Sequence, residues 1–295
     1  MGLFGLFRSG KRPSDPVRAG AAAGRASDVT AEQRFSTDRA RLFDLGRTQQ
    51  MQRMFATPAD QRDAKWIGEF LDAVWHASVV VCDPPHFDGP DGFPYYRFNL
   101  PAENVPFDSQ SLGNLAGQCC ERQAGAAIFA CPADPVSSPQ FVFSMGMLDS
   151  MLRFDSPDGD PLDRSETEDD ARPTSGVSAR DMQRHDVRIT KEDHRVIVGS
   201  PTVDYLPAYA ARGLGRYMSL VWGLGEPRVA ILVDGAMSPS RNLVIGRKRS
   251  SFASEAEISA EMRRLSWFLP SWRSLILMPE DWDLATLTPL SDLGG

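Results

Sequence analysis

The chain offers four histidines, His76, His86, His185 and His194, and four cysteines, Cys82, Cys119, Cys120 and Cys131, as bases, nucleophiles or metal ligands. Cys82-x-x-x-His86, with Asp83 and Asp88 beside it, has the spacing of one ligand pair. A structural zinc commonly takes two such pairs, and no second Cys/His pair is visible. The segment CDPPHFDGPDG therefore reads first as a turn-rich connector, its Asp, Pro and Gly each suited to reversing the chain. His185-Asp186 and Asp193-His194 have the form of a base beside an orienting carboxylate, which works only if the groups converge in a pocket. Cys119 falls on the apolar face of an expected helix, and the vicinal Cys119-Cys120 pair reads as packing. There is no GxxxxGK[ST], GxSxG or HExxH. Gly213-x-Gly215 and Gly223-x-Gly225 lack the third glycine of a dinucleotide fingerprint. No cofactor, no metal and no catalytic residue is expected.

Charge narrows the partners. The 295 residues carry 32 Lys and Arg against 39 Asp and Glu, net −7, with 42% hydrophobic residues. That apolar share excludes a wholly disordered chain, and no apolar run approaches the ~18 residues that span a bilayer. An acidic balance opposes nucleic-acid binding, which needs a basic face. The Arg247-Lys248-Arg249 run is a local exception. The neighbouring strands lack the aromatics on which RNA bases stack, so no nucleic acid is expected as a partner. The start, Met1-Gly-Leu-Phe-Gly-Leu-Phe, precedes its basic residues, the reverse of an export signal. It reads as a disordered tail; the other reading is a peripheral membrane anchor made by Leu3, Phe4, Leu6 and Phe7. Without an export signal the expected compartment is the cytoplasm, with free thiols.

Stepping along the chain, two stretches look like connectors: a Gly/Ala/Arg/Ser-rich tail over 1–36, and 155–179, of which 155–172 holds eight acids and two bases. They leave two expected α+β domains, 37–154 and 180–295. In the first, Thr57 and Pro58 predict the start of a helix whose stripe is Ile67, Phe70, Leu71, Val74 and Trp75. Strands are expected at 77–82, 93–100, 126–131 and 140–144, with a helix opening at Ser109; Met147–Phe154 stays unassigned. In the second, strands are expected at His194–Gly199, Arg228–Asp234, Asn242–Arg247 and Trp272–Met278. A helix is expected over Pro201–Met218, and another after the Ser254…Glu257 capping box, with Ile258, Met262, Leu265 and Leu269 as its buried stripe. The order β-α-β-β-α-β predicts a ferredoxin-like second domain. Ala127–Ala130 resembles Ala230–Val233, and Pro139–Phe143 resembles Arg241–Ile245, at offsets of 103 and 102, so a diverged duplication is one reading of the two halves.

From Val196 to Glu280 the chain resembles the C-terminal domain of the SseB (enhanced serine sensitivity) family. The resemblance is carried by VIVGSPTVDYLPAYAARGLGRY, RVAILVD, NLVIGR, a helix ending WFLP, and WRSLILMPED. Gly199-Ser200-Pro201, Leu269-Pro270 and Met278-Pro279-Glu280 match its punctuation. The resemblance implies a cytoplasmic bacterial protein without catalytic chemistry, acting through protein contacts, some relatives lying near secretion or immunity systems. It carries no site residues across.

Small sheets with helices on one face leave the other needing a partner, so a protein partner or self-association is expected. The leading reading is a non-catalytic protein-binding or regulatory module. Its expected contact residues are aromatics and arginines, Tyr95, Tyr96, Arg247, Arg249 and Trp272. The alternatives are an enzyme with an interdomain site built from the 82–92 loop and a histidine, and a membrane-peripheral adaptor.

Overall fold

The computed structural model describes residues 42–102, 105–130, 138–155, 182–189, 195–234, 237 and 239–294, without the side chains of 182–189 and 195. The tail over 1–36, the connector beyond Asp155, Cys131, Asp193 and His194 lie outside the described residues. The fold is α+β, with six helices and two mixed sheets among the described residues.

The first helix, α1 (Leu45–Met54), has no counterpart in the sequence expectations. Its sequence is polar, and only Thr48, Met51 and Met54 are buried. Asp44 caps it by accepting from the Arg47 N–H. The next, α2 (Ala64–His76), starts later than Thr57-Pro58 predict. Pro58 leads only a 3-10 turn, and Asp63 is the cap, accepting from Trp66 N at 2.8 Å. Arg62 holds that turn by donating to Thr57 O and Gln140 O. The predicted stripe is correct: Phe70, Leu71, Val74 and Trp75 are buried and Ile67 packs at the margin.

Strand β1 (Val80–Asp88) runs through most of the expected turn-rich connector, because 86–88 pair antiparallel with β2 (Pro94–Asn99) beyond a register shift. The helix α3 (Leu112–Glu121) is capped by Ser111 rather than Ser109. It crosses to β3 (Gly125–Phe129), parallel to β2; β4 (Phe141–Phe143) then pairs antiparallel with β3. The unassigned segment is the helix α4 (Met145–Phe154), capped by Ser144. The first sheet has the order β1-β2-β3-β4.

The second sheet begins with β5 (Met182–Ile189), an unexpected strand, followed by β6 (Arg195–Pro201). The helix α5 (Ala208–Trp222) begins after Pro207, not at Pro201, since a proline without an N–H fits a helix start better than its interior. Then come β7 (Arg228–Asp234), β8 (Arg241–Lys248), α6 (Glu255–Leu265), β9 (Ser274–Met278) and the two-residue β10 (Thr288–Pro289) on β7. The capping box forms as read: Ser254 Oγ accepts from Glu257 N, and Glu257 reaches back to Ala253 N at 2.7 Å.

The element order is the expected β-α-β-β-α-β, but the neighbours are not those of a ferredoxin-like sheet. The path is β5-β6-β7-β8-β9. In the split arrangement another strand separates the parallel pair. Here β8 and β9 are adjacent and parallel, and β6 and β7, joined through α5, are adjacent and antiparallel. Element order alone does not choose between the two, because a helix can return the chain to either position. The internal likeness also shifts. The path α2-β1-β2-α3-β3 is followed again by α5-β7-β8-α6-β9, with the same antiparallel-then-parallel pairing, about 145 residues later. The offset near 103 equates the antiparallel pair β3/β4 with β7/β8 in the same register, but the outer neighbours differ: β2 runs parallel to β3, and β6 antiparallel to β7.

One apolar core spans the helix sides of both sheets. Phe93 stacks on Trp267 at 4.4 Å, and Phe268 meets Phe93 edge-on. A smaller cluster, including Val198, Leu232, Val244 and Met278, lies apart on the second sheet. No helix among the described residues is long and apolar enough to cross a membrane.

Candidate functional site

Three polar constellations and one aromatic surface carry the groups capable of chemistry or recognition. The first lies where α4 meets α5. Asp149, on α4, is fully buried. Arg153, one turn on, clasps it with two 2.6 Å hydrogen bonds and donates to Asp204 O at 2.8 Å. Tyr209, from the first turn of α5, donates to the same carboxylate. Burial pushes the Tyr209 hydroxyl far up, and the Asp149 charge pushes it further. Burial by itself would lower the Arg153 guanidinium, but the bonds and charge of Asp149 keep it above its ordinary value. The cluster is a fixed ion pair with its acceptors filled, a rivet between the two sheet units.

The second gathers on Glu261 of α6. Its carboxylate accepts from Tyr217 OH at 2.8 Å and Trp222 Nε1 at 2.7 Å, both from α5, and from Arg264 at 2.7 Å. Burial would raise this carboxyl. The bonds from Trp222 and Tyr217, with the Arg264 charge, outweigh that and hold it below the ordinary range. Tyr217 is pushed up to about 12, first by burial and then by Glu261.

The third is a cleft of about 360 Å³ between α5 and the C-terminal turn, with Arg212, Ser219, Glu226 and Leu290 on its walls. Arg212 is held by Glu121 at 2.7 Å and by Gly294 O at 3.1 Å, and Glu226 pairs with Arg228, so its charges are neutralised within the chain.

The aromatic surface lies at the end of α5. Arg247, near the end of β8, places its guanidinium 4.7 Å over the Trp222 ring and 4.0 Å over Phe252. Its Nε donates to Ser251 Oγ. Next to Trp222 in sequence, Leu220 and Val221 are 74% and 53% exposed. Arg249 stands nearby in an exposed pair with Glu255.

The five expected contact residues are therefore not one surface. Arg247 and Arg249 fall together. Tyr95 and Tyr96 are not exposed, at 2% and 7%. Tyr95 donates to Asp91 at 2.5 Å and accepts from Trp267 Nε1 at 2.9 Å, joining β2 to the second unit. Tyr96 packs edge-on against His86. Adjacent strand residues face opposite sides, and here both are covered, so neither tyrosine is the exposed contact the sequence led one to expect. Trp272 is half-buried, with Arg273 at 3.8 Å and Phe154 edge-on.

The described groups set aside for enzymatic chemistry lie on separate elements. Cys82 is half-buried and its thiol is raised by burial, with Arg97 only partly offsetting this. Cys119 is pushed up to about 12 by burial, and Cys120 rises likewise. His86 is on β1 of the first sheet and His185 on β5 of the second. No cluster of three or more metal-ligating side chains occurs among the described residues. Sequence reading missed Trp222, Phe252, Asp149 and Tyr209. Asp149 and Arg153, four residues apart, were the available signal for α4; nothing local announces that Tyr209 completes their cluster. No family model, curated protein or solved structure matches the chain.

Proposed function

We propose that the chain is a non-catalytic protein-binding or regulatory module of the bacterial cytoplasm, and that it makes its contact through the surface at the end of α5. The observation that carries this reading is Arg247 held between Trp222 and Phe252, with Leu220 and Val221 exposed beside them. Aromatic and arginine anchors dominate interface energetics, and a guanidinium already held by two rings loses little freedom on docking. The SseB-like residue pattern over Val196–Glu280 points the same way. The Asp149 and Glu261 clusters have the character of rivets, their polar groups spent on one another.

The test is affinity capture from source lysate with the full-length chain, beside Arg247→Glu and Leu220→Asp variants of unchanged circular dichroism. A partner recovered near stoichiometry by the parent and lost by both variants supports the reading. Nothing above the tag-only control, or a partner retained by both variants, overturns it.

A further inference from the structure

Among the described residues the two strand paths end in β1, β4, β5 and β9, with the two-residue β10 set beside β7. An outer strand presents unpaired N–H and C=O groups, and soluble proteins blunt it with proline, charge or shortness. Pro84 and Pro85 sit in the middle of β1, between Asp83 and Asp88. The β4 strand is three residues long. The sequence of β5 has Arg184, Asp186 and Arg188 at alternate positions. Of these ends, only β9, Ser274-Leu275-Ile276-Leu277-Met278, has none of these devices among the described residues. It pairs with β8 along its length on one side, and on the other makes no strand pairing among the described residues. Its first four residues are half-buried rather than covered.

We propose that β9 pairs antiparallel with β9 of a second copy of the chain, about a two-fold axis at Ile276, joining the two second sheets into one. Charge selects a second copy as the occupant. The approach to β9 carries exposed Arg263 and Arg264 at the end of α6, Arg264 also pairing with Glu261; Arg273, just before the strand, is buried over the Tyr205 ring and adds nothing to that flank. The exit carries exposed Asp281 and Asp283, with Glu280 accepting from Ser250 and Lys248 donating to the Glu280 carbonyl. Antiparallel pairing sets the start of each strand beside the end of the other, so the basic flank of each copy meets the acidic flank of its partner, twice. A two-fold contact requires such a self-complementary surface. Leu275 packs on the main core and Ile276 on the smaller cluster, so pairing extends two existing apolar layers.

The β9 edge and the Arg247 surface are separate features, and each is tested without altering the other. Light scattering on the full-length chain is expected to give twice the 32.5 kDa chain mass. Leu277→Lys places a charge on the strand, and is expected to return the mass to that of one chain with unchanged circular dichroism. Ile276→Cys is expected to form an intermolecular disulfide on mild oxidation, absent from the parent, because directly opposed residues sit about 4.5–5.5 Å apart. A chain that stays monomeric at its highest soluble concentration overturns the proposal. So does a dimer in which Cys at 276 fails to cross-link, or one that folded Leu277→Lys leaves at full mass. If Leu277→Lys does not fold, the cross-link decides.

Discussion

The units α2-β1-β2-α3-β3 and α5-β7-β8-α6-β9 trace the same path but close their surfaces differently. In the first, β3 is wholly buried, β2 buries Tyr95, Tyr96 and Phe98, and the crossover helix α3 buries Leu112, Ala116, Cys119 and Cys120. In the second, the crossover helix α6 is polar, buries only Glu261 and Leu265, and is held to α5 through a carboxylate. Its last strand, β9, is mostly half-buried, and among the described residues one of its edges has no strand partner. One topology thus gives a closed unit and an open one. Helix polarity and the edge strand, not the order of elements, make the difference.

The largest expected effect is at the joint between the units. Asp149→Ala leaves the half-buried Arg153 and Tyr209 without their shared acceptor, and should cost about 3 kcal/mol in urea unfolding. Tyr209→Phe, which removes one donor, should cost far less. A small loss for Asp149→Ala would mean that this ion pair adds little to a joint held by apolar packing and by the Tyr95–Trp267 and Arg212–Glu121 contacts.

Next is Gly146, whose added Cβ would fall 1.8 Å from Leu269 O, a backbone atom that cannot swing aside. Gly146→Ala should destabilise by at least the ~1–3 kcal/mol of an overpacked core. Gly215, where a Cβ would meet only Leu290 at 3.5 Å, is the tolerant control.

The matched helix caps sharpen the comparison further. Ser111 starts α3 and Ser254 starts α6, each accepting from the N–H three residues on, at 3.3 and 3.2 Å. Alanine at either should cost about 0.5–2 kcal/mol. The loss should be greater at Ser111, which is fully buried and leaves an N–H with less access to water. Equal losses would argue that the closed and open units differ less than their burial indicates.

The smallest effect is a pH dependence confined to the second unit. The Glu261 carboxyl titrates below its ordinary range when folded. Its contribution is therefore full above the unfolded value of about 4.3 and fades as pH falls through the lower folded value. Stability measured from pH 6 down to pH 3 should drop less steeply in Glu261→Gln than in the parent. Parallel curves would remove Glu261 from the account.

Much of the second unit was legible in the sequence. RVAILVD is β7 to the residue, NLVIGR lies within β8, and the capping box starts α6, because each signal is local: an apolar run, or a cap three residues from its partner. The first unit was less legible. A polar α1 held by three buried residues and a strand running through CDPPHFDG both depend on partners far along the chain. Of the candidate surface, Arg247 and Arg249 were legible as a basic run. Trp222 and Phe252 were not, since they meet Arg247 from two other segments.

The sequence by itself determined the α+β class, most of the helix and strand segments, the core-facing residues of α2 and the acidic balance, because periodicity, caps and composition act within a few residues. Only the tertiary structure decided the strand neighbours, the burial of Tyr95 and Tyr96, the union of Asp149 with Tyr209 and the open edge of β9. Each of these is a relation between segments tens of residues apart, and a pairing at that distance leaves no local periodicity to read.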